Sequence, residues 1–110
     1  MRTTSKSSTT TRTAGRMNFA VHPGQILREE LETRGLSGTA LALKLRVPPQ
    51  RINDVIGGRR ALTAETALRL ARYFGNDATF WLNLQTAFDL AQTEAVAGER
   101  IAAEVDPAAA

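Results

Sequence analysis

The chain has 110 residues, a length that supports one domain with a modest core. It has no cysteine and one histidine, which excludes disulfides, cysteine nucleophiles and metal sites built on several histidines. No apolar run approaches the roughly 18 residues that cross a bilayer, and no secretory signal is evident. No paired catalytic carboxylates or phosphate-binding loop can be assembled either. We therefore expect a cytoplasmic protein that is not an enzyme, with no catalytic residue, metal or cofactor.

The net charge of +3 is distributed unevenly along the chain. Residues 1–16 carry four basic side chains and no acid, and residues 35–75 carry seven basic and two acidic side chains. Residues 76–110 reverse the balance, with one basic and six acidic side chains. The two basic regions predict contact with a polyanion. A solvated surface with a chance asymmetry is an alternative that charge alone leaves equally open.

Residues 1–16 consist mostly of Ser and Thr with scattered basic residues. They contain no large apolar side chain, so they cannot bury enough surface to offset the entropy lost on ordering. We expect a disordered tail. An organellar transit peptide has a similar composition, but this tail lacks the apolar face of an amphipathic helix.

Residues 17–97 are predicted to form one all-α domain of five helices, followed by a frayed helix or tail over residues 98–110. Capping residues, Pro and Gly set the expected limits of each helix. His22 precedes the first helix and is expected to be structural. The predicted helices are helix 1 from Pro23 to about Arg34, helix 2 from the N-cap Ser37 to Leu45, helix 3 from Pro49 to just before Gly57, helix 4 from the N-cap Thr63 to Gly75, and helix 5 from after Asp77 to about Val96.

Apolar residues recur at helical spacing in each segment and predict which side of each helix is buried. The residues expected to face the core are Ile26, Leu27 and Leu31 in helix 1, Leu41, Ala42 and Leu45 in helix 2, and Ala67, Leu68, Leu70, Ala71 and Phe74 in helix 4.

Helices 2 and 3 are joined by a very short turn, which is typical of a DNA-binding helix-turn-helix. At about 100° per residue, Ile52 and Val55 share one side of helix 3, whereas Gln50 and Asp54 lie opposite. Arg51 and Asn53 lie on the flanks. A helix with one apolar and one polar side can place the polar side in the major groove. A solvated polar face is the alternative, and the preceding helix and basic flanks argue against it.

Each polar residue suggests a role. A Gln amide pairs with adenine and Arg pairs with guanine, whereas Asp54 either accepts from cytosine N4 or holds an Arg. Arg59 and Arg60 follow two glycines and are placed to contact phosphates, while Ser37 is either an anion contact or a plain N-cap. The predicted DNA-binding residues are Ser37, Thr39, Pro49, Gln50, Arg51, Asn53, Asp54, Arg59 and Arg60.

The apolar face of helix 5 is wider than a small domain needs for its own core, and Leu90 widens it further. Such patches mark interfaces, and symmetric dimers are the commonest assembly. For Trp81 the core is the alternative location. The predicted dimer interface is Phe80, Trp81, Leu84, Phe88 and Ala91.

The segments 22–27, 36–37, 47–53, 58–63, 67–75 and 80–85 together resemble the HigA (VapI-like) antitoxins of the Xre helix-turn-helix superfamily. The resemblance implies a five-helix, lambda-repressor-like domain that dimerises on a palindromic operator and represses its own toxin–antitoxin operon. It also implies binding of a HigB-like toxin, a RelE-like mRNA endonuclease. The alternatives are a free-standing Xre-type repressor without a toxin, and a protein-interaction module that does not bind DNA.

Some positions depart from the family pattern. Gly38 stands where the family usually has Gln, and Arg46 stands in a turn position where it usually has Gly. A left-handed conformation at Arg46 would cost about 1 kcal/mol. Ala40 and Leu43 replace charged residues, and their apolar surface together with the acidic residues of helix 1 is a candidate surface for a basic toxin. Those acidic residues are Glu29, Glu30 and Glu32.

Overall fold

A computed structural model describes residues 20–109, and every regular element in that range is an α-helix. This confirms the predicted all-α fold of five helices. The disorder predicted for residues 1–16 falls outside the described residues. None of the helices within residues 20–109 is long and apolar enough to cross a membrane. The helices are α1 (Pro23–Arg34), α2 (Gly38–Leu45), α3 (Pro49–Ile56), α4 (Ala64–Phe74) and α5 (Ala78–Glu104).

The helix starts follow from side-chain caps, because the first backbone N–H groups of a helix lack partners within it. His22 caps α1, since its Nδ1 accepts a hydrogen bond from the Gly24 N–H at 2.9 Å. Ser37 Oγ accepts from Ala40 N–H at 3.0 Å at the start of α2. Thr63 caps α4 in the same way. The two predicted caps, Ser37 and Thr63, are therefore confirmed, and His22 has the structural role that was expected of it.

The core lies where α3 meets α1 and α2, and where α5 packs against α4. Ile52 and Val55 of α3 are fully buried, as the apolar side of the predicted recognition helix requires. Trp81 brings α5 into the same core. The buried cluster consists of Leu27, Leu31, Leu41, Ala42, Leu45, Val47, Ile52, Val55, Leu62, Ala67, Leu70 and Trp81.

Two sequence predictions are wrong. Leu68 is 63% exposed instead of facing the core, because it lies about 100° around α4 from Ala67 while Leu70 and Phe74 stay close to the Ala67 side. Helix α5 does not end near Val96 but continues to Glu104. Its last turns are rich in alanine, the best helix former, so the helix persists beyond the part that packs on the core.

The turn between α2 and α3 has a left-handed residue at Arg46, with φ of 62°. This conformation costs an L-residue roughly 1–2 kcal/mol. The Arg46 N–H donates to the Leu43 carbonyl at 3.3 Å, and the Val47 N–H donates to the Ala42 carbonyl at 3.1 Å. These bonds close the end of α2 and redirect the chain into α3, as the helix-turn-helix prediction requires.

Helix α1 approaches the end of α3 at Gly24. A Cβ atom at this position would overlap the backbone carbonyl of Val55. A backbone carbonyl cannot rotate away like a side chain, so any larger residue would push α1 and α3 apart. Gly24 therefore sets the distance between α1 and the predicted recognition helix.

We expect Gly24→Ala to lower the free energy of unfolding by about 1–3 kcal/mol, the usual cost of forcing a methyl group into a packed contact. Urea denaturation followed by circular dichroism measures this change. The neighbouring Gln25 is exposed, so Gln25→Ala serves as the control and should change stability by less than about 0.5 kcal/mol. Equal stability of the two variants would show that α1 and α3 do not touch at Gly24.

Candidate nucleic-acid interface

Helices α2 and α3 are held together at their exposed edge as well as in the core. Asn53 Nδ2 donates to Thr39 Oγ1 at 3.4 Å, which links the two helices across the turn. A Cβ atom at Gly38 would overlap the Asn53 side chain. The departure from the family pattern at Gly38 thus makes room for Asn53 beside Thr39, so these predicted contact residues form one polar edge.

The outer face of α3 carries a hydrogen-bonded cluster centred on Asp54. Its Oδ1 atom accepts from Gln50 Nε2 at 2.8 Å. The same oxygen accepts from Arg59 Nε at 3.3 Å and from Arg59 Nη2 at 3.2 Å. Of the two roles predicted for Asp54, it therefore has that of holding an arginine. Gln50 itself is exposed, as the helical spacing predicts.

Arg51 lies on the side of α3 that faces α4. Its Nη1 atom is 3.8 Å from Glu65 Oε1, and its side chain is 33% exposed. Glu65 also accepts from Arg69 Nη2 at 3.1 Å through its second oxygen. The predicted flanking position of Arg51 is confirmed, and the carboxylate of Glu65 holds it beside α4.

Arg59 and Arg60 follow α3 in a tight turn, and both are exposed. Gly58 takes a left-handed conformation with φ of 76°, which allows the Arg59 N–H to donate back to the Asp54 carbonyl at 2.8 Å. A Cβ atom at Gly57 would overlap the Arg59 guanidinium. The two glycines thus fold Arg59 back onto Asp54 and leave both arginines at the end of α3.

The remaining predicted contact residues lie at the starts of α2 and α3. The Ser37 hydroxyl oxygen accepts the capping bond of α2, and Pro49 occupies an exposed position in the first turn of α3. Together with Thr39 they border the same surface as Gln50. The structure brings the predicted residues onto the two helix starts, the outer side of α3 and the turn that follows it.

Two residues outside this surface, Gln85 and Arg69, hold the segments that carry it, and the sequence does not predict that role for either. Gln85 of α5 is only 6% exposed, and its Oε1 accepts from the Leu62 N–H at 2.7 Å while its Nε2 donates to Asp89 at 2.9 Å. Arg69 of α4 donates to the Leu45 carbonyl at the end of α2, at 2.8 Å. The sequence offers one indication for Gln85: it follows Trp81 by one helical turn, which places a polar residue on the inner side of α5.

The predicted dimer residues of α5 divide into three groups by exposure. Trp81 is 1% exposed, so it belongs to the core of the domain, the alternative that the sequence left open. Leu84 and Ala91 are half-buried, and half-buried Phe88 packs edge-on against the His22 ring with centroids 5.0 Å apart. Phe80 is 45% exposed and remains available for a partner.

Known proteins share this architecture. The helix-turn-helix family model matches residues 27–81. Virulence-associated protein I of Dichelobacter nodosus is 59% identical over 76 residues, covering 68% of this chain and 70% of that protein. A HigA-family addiction module antidote protein from Coxiella burnetii has a TM-score of 0.78 at 43% identity, covering 81% of this chain and 98% of that one. Pseudomonas aeruginosa antitoxin HigA, solved with the higBA promoter, has a TM-score of 0.79 at 41% identity, covering 82% and 99%.

The family match over residues 27–81 and the five-helix fold with its short turn between α2 and α3 make this an Xre-type helix-turn-helix protein. Within that class, the chain belongs to the HigA family of antitoxins. Members of this family are regulators and not enzymes. The residues described here include no group of three or more His, Asp or Glu side chains that could hold a metal ion.

Proposed function

We propose that this chain is a cytoplasmic antitoxin of a HigBA-type module that binds its own operator, represses transcription and neutralises a RelE-like toxin. The observation that carries the DNA-binding part is the similarity to Pseudomonas aeruginosa HigA, which was solved with the higBA promoter. The exposed Gln50 and the two arginines after α3 lie where a helix-turn-helix meets base edges and phosphates.

In this proposal α3 enters the major groove of the operator with Gln50 facing the base edges. Arg51 leaves its long, weak pair with Glu65 and turns toward a guanine or a phosphate. Exposed pairs of this kind contribute only about 0–1 kcal/mol, so the exchange costs little. Arg59 and Arg60 contact phosphates beside the groove. The start of α2 directs its N–H groups toward the adjacent phosphate backbone of the DNA.

Base contacts and phosphate contacts should respond differently to substitution. We expect Gln50→Ala and Arg51→Ala each to weaken operator binding by about 1–3 kcal/mol while sparing non-specific binding. Replacing Arg59 and Arg60 together with Ala should lower the slope of log affinity against log salt by about 2. Fluorescence anisotropy with the native upstream DNA and an unrelated duplex, over a salt series, measures both effects.

The control is Arg100→Ala, which removes one positive charge from an exposed position near the end of α5 and should leave the salt slope unchanged. If discrimination survives both Gln50→Ala and Arg51→Ala, α3 is not the recognition helix. If the wild-type protein binds its upstream DNA no better than the unrelated duplex at any salt concentration, a protein-interaction module without DNA binding replaces the repressor.

We further infer that the solvent side of α5 forms a symmetric dimer. Beyond the half-buried residues that pack on its own subunit, α5 exposes Leu90 and Ile101, which lie about 20° apart around the helix, with exposed Phe80 about 60–80° away from them. Between Leu90 and Ile101 a groove of about 430 Å³ passes the small residues Gly98 and Ala102. A two-fold dimer would place its two α3 helices about 34 Å apart on a palindromic operator.

Charges on this face should dissociate the dimer. We expect the double substitution Leu90→Glu, Ile101→Glu to give a monomer by sedimentation velocity and to lose operator affinity, because burying carboxylates in an apolar contact is costly. Val96→Glu is the matched control, since Val96 is 83% exposed on another side of α5 and should leave the dimer intact. A dimer that survives the double substitution would place the interface elsewhere.

The toxin is proposed to bind the exposed surfaces of α1 and α2. Leu43 is 66% exposed, and Glu29 and Glu32 are exposed on α1, where Glu30 pairs with Arg34 at 3.1 Å. RNA-binding toxins are basic, so acidic and apolar surface together suit such a partner.

Two charge-altering substitutions test this surface. We expect Leu43→Arg and Glu29→Lys each to weaken binding of the purified toxin by roughly tenfold, the effect of losing about 1.4 kcal/mol at an interface. Isothermal titration calorimetry measures the affinity. Leu68→Arg is the matched control, because Leu68 is equally exposed on α4. Unchanged affinity in both test variants would exclude this surface, and absence of any toxin binding would favour a free-standing repressor.

A further inference from the structure

A single oxygen atom of Asp54 accepts the hydrogen bonds that order the outer face of α3. Gln50 Nε2 donates to Asp54 Oδ1 at 2.8 Å, and Arg59 donates to the same atom through two nitrogens. The Asp54 side chain is 19% exposed, whereas that of Arg59 is 64% exposed. The carboxylate is therefore the most enclosed member of the cluster, and Gln50 lies on its solvent side.

This contact fixes which end of the Gln50 amide faces outward. An ionised carboxylate has no hydrogen to donate, so only the NH₂ group of the amide can face it. Turning the amide over would bring the Gln50 carbonyl oxygen against Asp54 Oδ1, two acceptors without a hydrogen between them. The carbonyl Oε1 is consequently directed away from Asp54, with the second Nε2 hydrogen beside it.

An amide held in this orientation matches one base better than the others. Adenine presents an N6–H donor beside the N7 acceptor in the major groove, which complements the Gln50 carbonyl and its free N–H. Guanine presents acceptors at both places, so the fixed carbonyl would meet guanine O6. A glutamine free to turn over could instead donate to guanine and would discriminate less.

We propose that Asp54 is a positioning residue that orients the Gln50 amide, so that each subunit selects adenine at one base pair of its half-site. The inference rests on the proposed operator binding. Asp54 does not touch the base itself. Arg59 donates to the same oxygen, but Asp54 is the group that faces the Gln50 amide, so we expect Arg59 to contribute affinity and not base preference.

The sharpest variant is Asp54→Asn, which keeps the shape of the side chain but offers both a donor and an acceptor. Gln50 can then bond to it in either orientation. The probe is a library of duplexes randomised across the native upstream region, selected by each full-length protein and sequenced. The wild-type protein should prefer adenine over guanine by about 5- to 150-fold at one position of each half-site, and Asp54→Asn should bring that ratio close to 1.

Three further proteins separate positioning from general damage. Gln50→Ala should erase the preference at the same position, and adding Asp54→Asn to it should change base preference no further. Arg59→Ala should weaken binding to all sequences and retain the adenine preference. Circular dichroism confirms the helix content of each variant. If Asp54→Asn fails to fold, Asp54→Ala replaces it, because it removes the acceptor that orients Gln50 and should lower the adenine preference in the same way.

Two results would overturn the inference while leaving operator binding in place. One is an unchanged adenine preference in Asp54→Asn, and the other is an unchanged preference in Gln50→Ala. A wild-type protein that selects no sequence from the library would instead contradict the proposed function, and the inference with it.

Discussion

The structure depends on the burial of one face of α3, the face that carries Ile52 and Val55. This helix has eight residues, too few to be stable alone, because helix nucleation is costly and short helices in water are marginal. Ile52 and Val55 anchor it between α1 and α2, and Gly24 permits α1 to reach its last turn. Once that face is buried, the positions of the other residues around the helix are fixed, so the same packing determines which residues of α3 face solvent. The exposure of Gln50 is therefore a consequence of the core.

The two acidic residues of the basic region 35–75 are both engaged with arginines. Asp54 holds Arg59, and Glu65 lies between Arg51 and Arg69. Exposed ion pairs contribute little to stability, about 0–1 kcal/mol each, so the importance of these pairs lies in where they place long, flexible side chains. A rotamer-rich side chain that is already oriented loses less entropy when it binds. The acids therefore arrange the cationic surface at a small electrostatic cost.

Much of the fold could be predicted because the deciding interactions are local. Caps such as Ser37 and Thr63 act within one turn of their own helix, and helical spacing identifies Ile52 and Val55 as buried. What could not be predicted depends on contacts between distant segments. Gln85 reads as an ordinary surface glutamine until α5 is placed against Leu62, and the exposure of Leu68 depends on the exact direction from which the core meets α4. The polar contact surface followed from spacing, but its internal hydrogen bonds required the three-dimensional arrangement. Sequence spacing alone left Trp81 open between core and interface, because both need an apolar face.

The link between α3 and α5 determines whether a dimer could read two half-sites at a fixed distance. Gln85 of α5 accepts the Leu62 N–H at 2.7 Å in the segment that follows α3, and Trp81 lies 6.0 Å from the Phe74 ring of α4 between their centroids. Both contacts are buried or half-buried, so they resist the small rotations that an exposed linker would permit. A shift of α5 would therefore move α4 and the segment between α3 and α4 as well. The outer side of α3 is thus linked to the first turns of α5, the helix that also carries the proposed dimer face. A fixed orientation of α5 relative to α3 is what would let half-site spacing contribute to operator choice.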